Sequence, residues 1–419
     1  MGVIPSLSQM TLPWLPNRAT SLEDLVNVSV TALKSTPSRT LLRNLFLVSV
    51  AAILKTLMQP AQSSYVELAT TGTKAIQPVA EEREPITGGK RSDIVDIVKG
   101  IAIILVTLGH TAQGMVHRGW WETSRAAFLH SFIYSFHMPA FFFVAGLFVR
   151  GSIERRGGVN FTVEKIKSVL YPYLLFAVIY AAIRPLVGQF EMGTEPFEWR
   201  TFLLKIADGD ASWFLFVLFF CFMLALLTIR IPDWFRFLIA AAIGITPAFG
   251  PPLTNQVLRE FCFMAAGMWV GTRIIRIERL PAAAAALGFV LIASFQTAIV
   301  YFFGSATRWT YIGLGLTGTA GLFLMATLLE KNPAGRGLAW IGRASLAIFL
   351  LSALAQGATR QVLLGVFHTR EFWLQLLLPT ALATLLPAVV WYQQRRWRLG
   401  WLFYWPFRPV GTPPGGPLR

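Results

Sequence analysis

The stretch from Arg91 to His110, RSDIVDIVKGIAIILVTLGH, sets Asp93, Asp96, Lys99 and His110 into an otherwise apolar run. Charge inside a hydrophobic span is costly and marks function more often than it marks packing. Lys99 and His110 are eleven residues apart, which on a helix returns the imidazole to nearly the same face about 16 Å further along. Asp96 precedes Lys99 by three residues and shares that face. A neutral imidazole, with a pKa near 6.5 in water, suits the removal of a proton from a hydroxyl, so His110 is the candidate general base. Asp96 and Lys99 read either as charged partners beneath it or as a mutually neutralising pair that makes burial tolerable. In SFHMPAFFFVAGLF a second histidine, His137, falls where a following helix would return to the level of His110. Alone it reads equally well as a hydrogen-bonded structural residue. Pro139 beside it opens or kinks that helix, which is tolerated where the freed backbone faces protein or a wet cavity.

The elements that must carry these groups are membrane helices. The chain has 419 residues, 54% hydrophobic and 14% charged, with mean hydropathy +0.55, far more apolar than a soluble domain. The reading is an all-α polytopic membrane protein of about ten transmembrane helices, centred near Ile104, Phe141, Phe176, Val217, Ala241, Ala265, Val290, Leu316, Leu351 and Leu382. Alternate loops differ in charge. One set carries Arg150, Arg155, Arg156, Lys165, Lys167, Arg336 and Arg343; the other includes the acidic stretch Glu191 to Asp210 and the turn Pro247 to Pro252. This predicts an inner-membrane protein with both termini cytoplasmic. The net charge of +16 is spent on those loops and does not form the basic, aromatic-interleaved face of a nucleic-acid binder.

Three regions follow: a poorly structured extension over 1–90, the membrane domain over 91–394, and a basic, Pro/Gly-rich tail over 395–419. Leu45 to Leu54 is too short to span and reads as an interfacial helix or as disorder, with a signal core less favoured. Cys221 and Cys262 sit inside apolar runs, so no disulfide or metal pattern exists. No metal or resident cofactor is expected. Walker, Rossmann, HExxH and G-x-S-x-G patterns are absent from the sequence. Arg155 and Arg156, with Lys165 and Lys167, read either as positive-inside determinants or as an anion cradle for the phosphates of a nucleotide-like donor. Trp213 reads as an interfacial anchor, or as a platform for a sugar ring at the acceptor site.

The segments DIVKGIAIILVTLGH, SFHMPAFFFVAGLF, KIKSVLYPYLLF, WFLFVLFF, FCFMAAGMWVG and IGRASLAIFLL, in that order over about 91–392, resemble acyltransferase family 3, nearest its fucose 4-O-acetylase-like branch. The resemblance implies a ten-helix domain that moves an acyl group, commonly acetyl from acetyl-CoA, onto a hydroxyl of a glycan or other acceptor. It places the family's basic-residue-to-histidine motif on Lys99 and His110, its second-helix histidine on His137, and donor-holding cations on Arg155 and Arg156. Lys99 stands where many members have Arg, Ala145 where Ser is common, and Ser352 where many have His. The partners implied are acyl-CoA, a hydroxyl acceptor and the bilayer. A proton-coupled transporter or glycan flippase, with Asp, Lys and His as a proton relay, is the rival reading; the charged motif has no counterpart half a chain later.

Overall fold

A computed structural model describes residues 93–121, 123–187, 213–246, 252–271, 280–303 and 307–406. These residues belong to one compact unit, 81–419. The expectations for residues 1–90, for the Glu191–Asp210 loop and, except for Pro252, for the Pro247–Pro252 turn lie outside the described residues. The helices, in chain order, are α1 Asp93–His117, α2 Thr123–Tyr134, α3 His137–Arg156, α4 Gly158–Lys165, α5 Tyr171–Val187, α6 Trp213–Leu227 and α7 Asp233–Ile245. They continue with α8 Pro252–Val270, α9 Ala282–Phe303, α10 Arg308–Leu329, α11 Pro333–Arg343, α12 Ser345–Gly365 and α13 Phe372–Gln393.

The described residues contain no strand, as expected where lipid leaves backbone groups no partner outside their own helix. Among the described residues seven helical stretches are long and apolar enough to cross a membrane, including Asp93–His117, Ala126–Arg156 and Gly158–Ile183. The protein is an all-α, multi-pass membrane protein. All ten expected centres fall on helices, although those at Val217, Ala241 and Ala265 lie on α6, α7 and α8, outside the long apolar set. Two segments read as charged loops are helical: α4, which runs into the π-helical turn Ile166–Leu170, and α11. The second span begins eleven residues before His137, and its only interruption is the Ser135–Phe136 step between α2 and α3.

α1 is the hub, packed against α2, α3, α10, α11, α12 and α13. Its tightest neighbour is α11, and glycine explains why: a Cβ on Gly100 would overlap the Leu338 carbonyl, and one on Gly342 would overlap the Asp96 carbonyl. Small residues let membrane helices close to backbone contact, where dispersion replaces the missing hydrophobic drive. α3 and α8 meet the same way, through Gly146 and Gly267. Around the first turns of α1, Ile94, Ile97 and Val98 share one apolar cluster with Phe143, Val144, Leu147, Phe323 and Ala339. At the opposite end Ala112 and Met115 pack with Leu376, Trp120, Trp121 and Phe372. The core therefore fixes both ends of α1. After α13 the chain stays packed, with Phe403 fully buried and the Tyr171 hydroxyl donating to the Trp401 carbonyl at 2.7 Å.

Candidate functional site

At the first turns of α1, Asp96 is 1% exposed and holds Lys99 Nζ 2.6 Å from one carboxylate oxygen. Its other oxygen lies 3.3 Å from Nε of Arg343, whose terminal nitrogen reaches Asp93 at 2.8 Å. The close approach of Gly342 to α1 is what delivers Arg343, the next residue. Two carboxylates and two cations thus neutralise one another. Burial works against the Arg343 charge, but the hydrogen bonds to Asp93 and Asp96 outweigh it and hold its pKa above the ordinary arginine value.

Nearly four turns on, His110 keeps an exposed side chain on a helix whose flanking residues Gly109 and Thr111 are buried. The preceding turn is fastened from two sides: Thr107 and Thr384 hydroxyls are 3.0 Å apart, and Gln356 Nε2 donates to the Thr107 carbonyl at 2.8 Å. Arg360 donates to the Thr111 carbonyl at 3.1 Å. α12 and α13 thereby set the height and rotation of His110.

His137 is 1% exposed. Its Nδ1 lies 2.6 Å from the Ile133 carbonyl; a carbonyl only accepts, so Nδ1 carries the hydrogen and Nε2 is left as an acceptor. Between His110 and His137 stands Tyr134, edge-on to both, at centroid separations of 6.3 and 4.7 Å. His130 stacks on the same ring at 3.9 Å. The two expected histidines do converge, and they do so around a tyrosine that the sequence reading passed over. His130 is part of the same cluster. Their spacing carried the signal, because residues 130, 134 and 137 recur at i, i+4 and i+7, one helical face.

The other expected residues lie elsewhere. Arg156 is ion-paired to Glu164, and Arg155 is exposed beside it at the end of α3. Lys165 lies over the Phe222 ring at 4.5 Å. Trp213 opens α6 next to Phe214, which packs on Phe141, Phe142 and Phe349; α6 thus starts one turn along α3 from His137. Ser352 is buried one turn before Gln356. A second buried carboxylate, Glu260, is held by Arg259 at 2.8 Å and by the Tyr311 hydroxyl at 3.0 Å. Among the described residues no group of three His, Cys, Asp or Glu is placed to hold a metal ion.

What this arrangement can do is take a proton at an accessible imidazole, next to a second imidazole and a phenol, on a helix whose far end is pinned by buried charge. The chain is similar to known proteins. Two curated relatives are both named nodulation protein NolL. The one from Sinorhizobium fredii is 33% identical over 109 residues, 26% of this chain and 29% of its own. The one from Mesorhizobium japonicum is 27% identical over 181 residues, 40% and 45% respectively. The chain therefore spans less than half the length of the curated relatives it matches. No solved structure matches. A family model described as an acyltransferase domain matches residues 93–392, from the first turn of α1 to the last of α13, and the chain belongs to that family, acyltransferase family 3.

Proposed function

We propose that the protein is a membrane O-acyltransferase that moves an acyl group, acetyl in the first instance, from a CoA thioester to a hydroxyl of a carbohydrate. The observation that carries this reading is the convergence of an accessible His110 with His137 on one side of α1, in a chain whose family transfers acyl groups. His110 takes the proton as the acceptor oxygen attacks the thioester carbonyl, and returns it to the departing thiolate. His137 Nε2 is free to accept from a neighbouring hydroxyl of the acceptor. The Asp93–Asp96–Lys99–Arg343 cluster locks α1 against α11, so that the imidazole is held at one depth.

Donor and acceptor approach from the two ends of α1. Arg155 and Arg156 hold donor phosphates at the end that carries Asp96, which faces the cytoplasm, and Trp213 stacks on the sugar at the other. Both termini are cytoplasmic and the membrane is the inner one. The test is purified protein with radiolabelled acetyl-CoA and a panel of hexoses and oligosaccharides. Label should pass to a sugar as an alkali-labile ester. Consumption of no acyl-CoA, together with proton movement when a glycan is supplied to proteoliposomes, would replace this reading with a proton-coupled transporter.

A further inference from the structure

Tyr134 ends α2, and its hydroxyl is buried with no hydrogen-bond partner among the described residues. Native proteins satisfy buried hydroxyls almost without exception, and those left over call for an explanation. A phenylalanine would fill the same volume without burying a polar atom. The ring itself is held tightly. His130 stacks on it with planes 17° apart, and His137 and His110 meet it edge-on at 90° and 87°. α1 makes room for it at Gly109, where a Cβ would stand 2.9 Å from a Tyr134 ring carbon. The phenol is therefore pre-positioned next to the backbone of the residue that precedes His110. It is also out of hydrogen-bond reach of both imidazoles, because its hydroxyl bonds to neither. A reacting group between Tyr134 and His110 would meet a base on one side and an unspent donor on the other.

We infer that the Tyr134 hydroxyl is the hydrogen-bond donor to the carbonyl oxygen of the acyl group during transfer. The inference rests on the acyl-transfer reading above. As the acceptor oxygen bonds to the carbonyl carbon, its proton passes to His110 and the carbonyl π electrons move onto oxygen. Tyr134 donates to that oxyanion. When the electrons return, the carbon–sulfur bond breaks and the thiolate leaves with the proton from His110. A phenol near pKa 10 in water stays protonated at neutral pH and donates throughout. A donor already fixed in a water-poor site costs no reorganisation as the charge develops, which is what makes such groups effective.

The experiment compares wild type and Tyr134→Phe for acetyl-CoA turnover, pH dependence and thermal stability in the same detergent. The variant keeps the ring and its three contacts. Turnover should fall roughly a hundred- to a thousandfold, as for loss of one oxyanion donor. KM for acetyl-CoA should stay put, the acidic limb of the pH profile should survive because His110 sets it, and Tm should be equal to or above wild type. Wild-type turnover in the variant would overturn the inference while leaving acyl transfer standing. Loss of the acidic limb would also overturn it, by showing that Tyr134 acts on an imidazole rather than on the substrate. A wild type that consumes no acyl-CoA with any acceptor would sink the parent reading, and this one with it.

Discussion

His110 and Lys99 share a helix face yet stand in different environments, so their replacement should fail differently. His110 is exposed and meets Tyr134 edge-on. His110→Ala should keep its fold and lose roughly a hundred- to ten-thousandfold in turnover with donor affinity little changed, the signature of a lost general base. Rate and acyl-CoA binding measured on one folded preparation check this, and wild-type turnover would remove His110 from the chemistry. Among the described residues, Lys99 and Arg343 both pair with Asp96, a carboxylate that is 1% exposed. Lys99→Ala and Arg343→Ala each leave Asp96 one of these cations. The double variant removes both, and breaking a buried pair costs about 3–5 kcal/mol. Its loss of Tm should therefore depart from the sum of the two singles, as for groups that share one partner, while Lys99→Arg should sit near wild type; strict additivity would mean that the two cations do not share Asp96. The spacing of Asp96, Lys99 and His110 was legible because it is local. Arg343 was not, because it lies 247 residues from Asp96 and read as one more loop cation. Tyr134 was missed for a different reason: a tyrosine in an apolar run looks like an ordinary core aromatic until its hydroxyl is found without a partner.

At the scale of the elements, hydropathy placed all ten expected centres on helices but misread the short polar pieces between them. PAGRGLAWIGR carries two arginines and three glycines and has too little apolar content to register as a span, yet it forms α11 and packs along α1. Its stability comes from that contact rather than from its own propensity. The glycines of α11 give the test, since they differ only in what faces them. Gly342 abuts the Asp96 carbonyl and the backbone of Gly100, whereas Gly337 faces open space. Gly342→Ala must push α11 off α1. It should destabilise by at least the roughly 1–3 kcal/mol of an overpacked core, and should lower acyl transfer by disturbing Arg343. Gly337→Ala removes backbone entropy from the unfolded chain at no steric cost and should gain roughly 0.5–1 kcal/mol. Thermal melts of the two variants should move in opposite directions; a shared direction would mean that α11 is not seated on α1 as described. The α3–α8 crossing at Gly146 and Gly267 follows the same logic, and it was illegible in sequence because each glycine alone looks like any other glycine in a membrane helix.

For the whole molecule the open quantity is the number of crossings. Among the described residues seven stretches meet the length and apolarity of a membrane span, and seven is odd, which would put the two ends of the described chain on opposite sides of the bilayer. Ten crossings put them on the same side. The difference lies in α6, α7 and α8, with 15, 13 and 19 residues, where about 20 are needed to cross roughly 30 Å of hydrocarbon upright. Packing argues that they cross nonetheless. α8 runs beside α3 with Gly267 against Phe143 and Gly146, in the middle of an established span, so the two helices share a depth. α7 packs on α8 and is tied to α3 by Asp233, which takes Arg150 at 2.8 Å and the buried Arg236 at 2.6 Å. Arg236 also donates to the Thr228, Ile229 and Ile231 carbonyls, satisfying the end of α6 where water would otherwise be required. A helix pair sealed in this way turns back inside protein, so its short length does not force it out of the membrane. Reporter insertions after Arg156, Gly188 and Arg396 decide the count. Ten crossings predict one signal at Arg156 and Arg396 and the opposite signal at Gly188; seven predict that Arg156 and Arg396 disagree. The second outcome would leave α6 to α8 together on the side of the bilayer reached after three crossings, the side that carries His110.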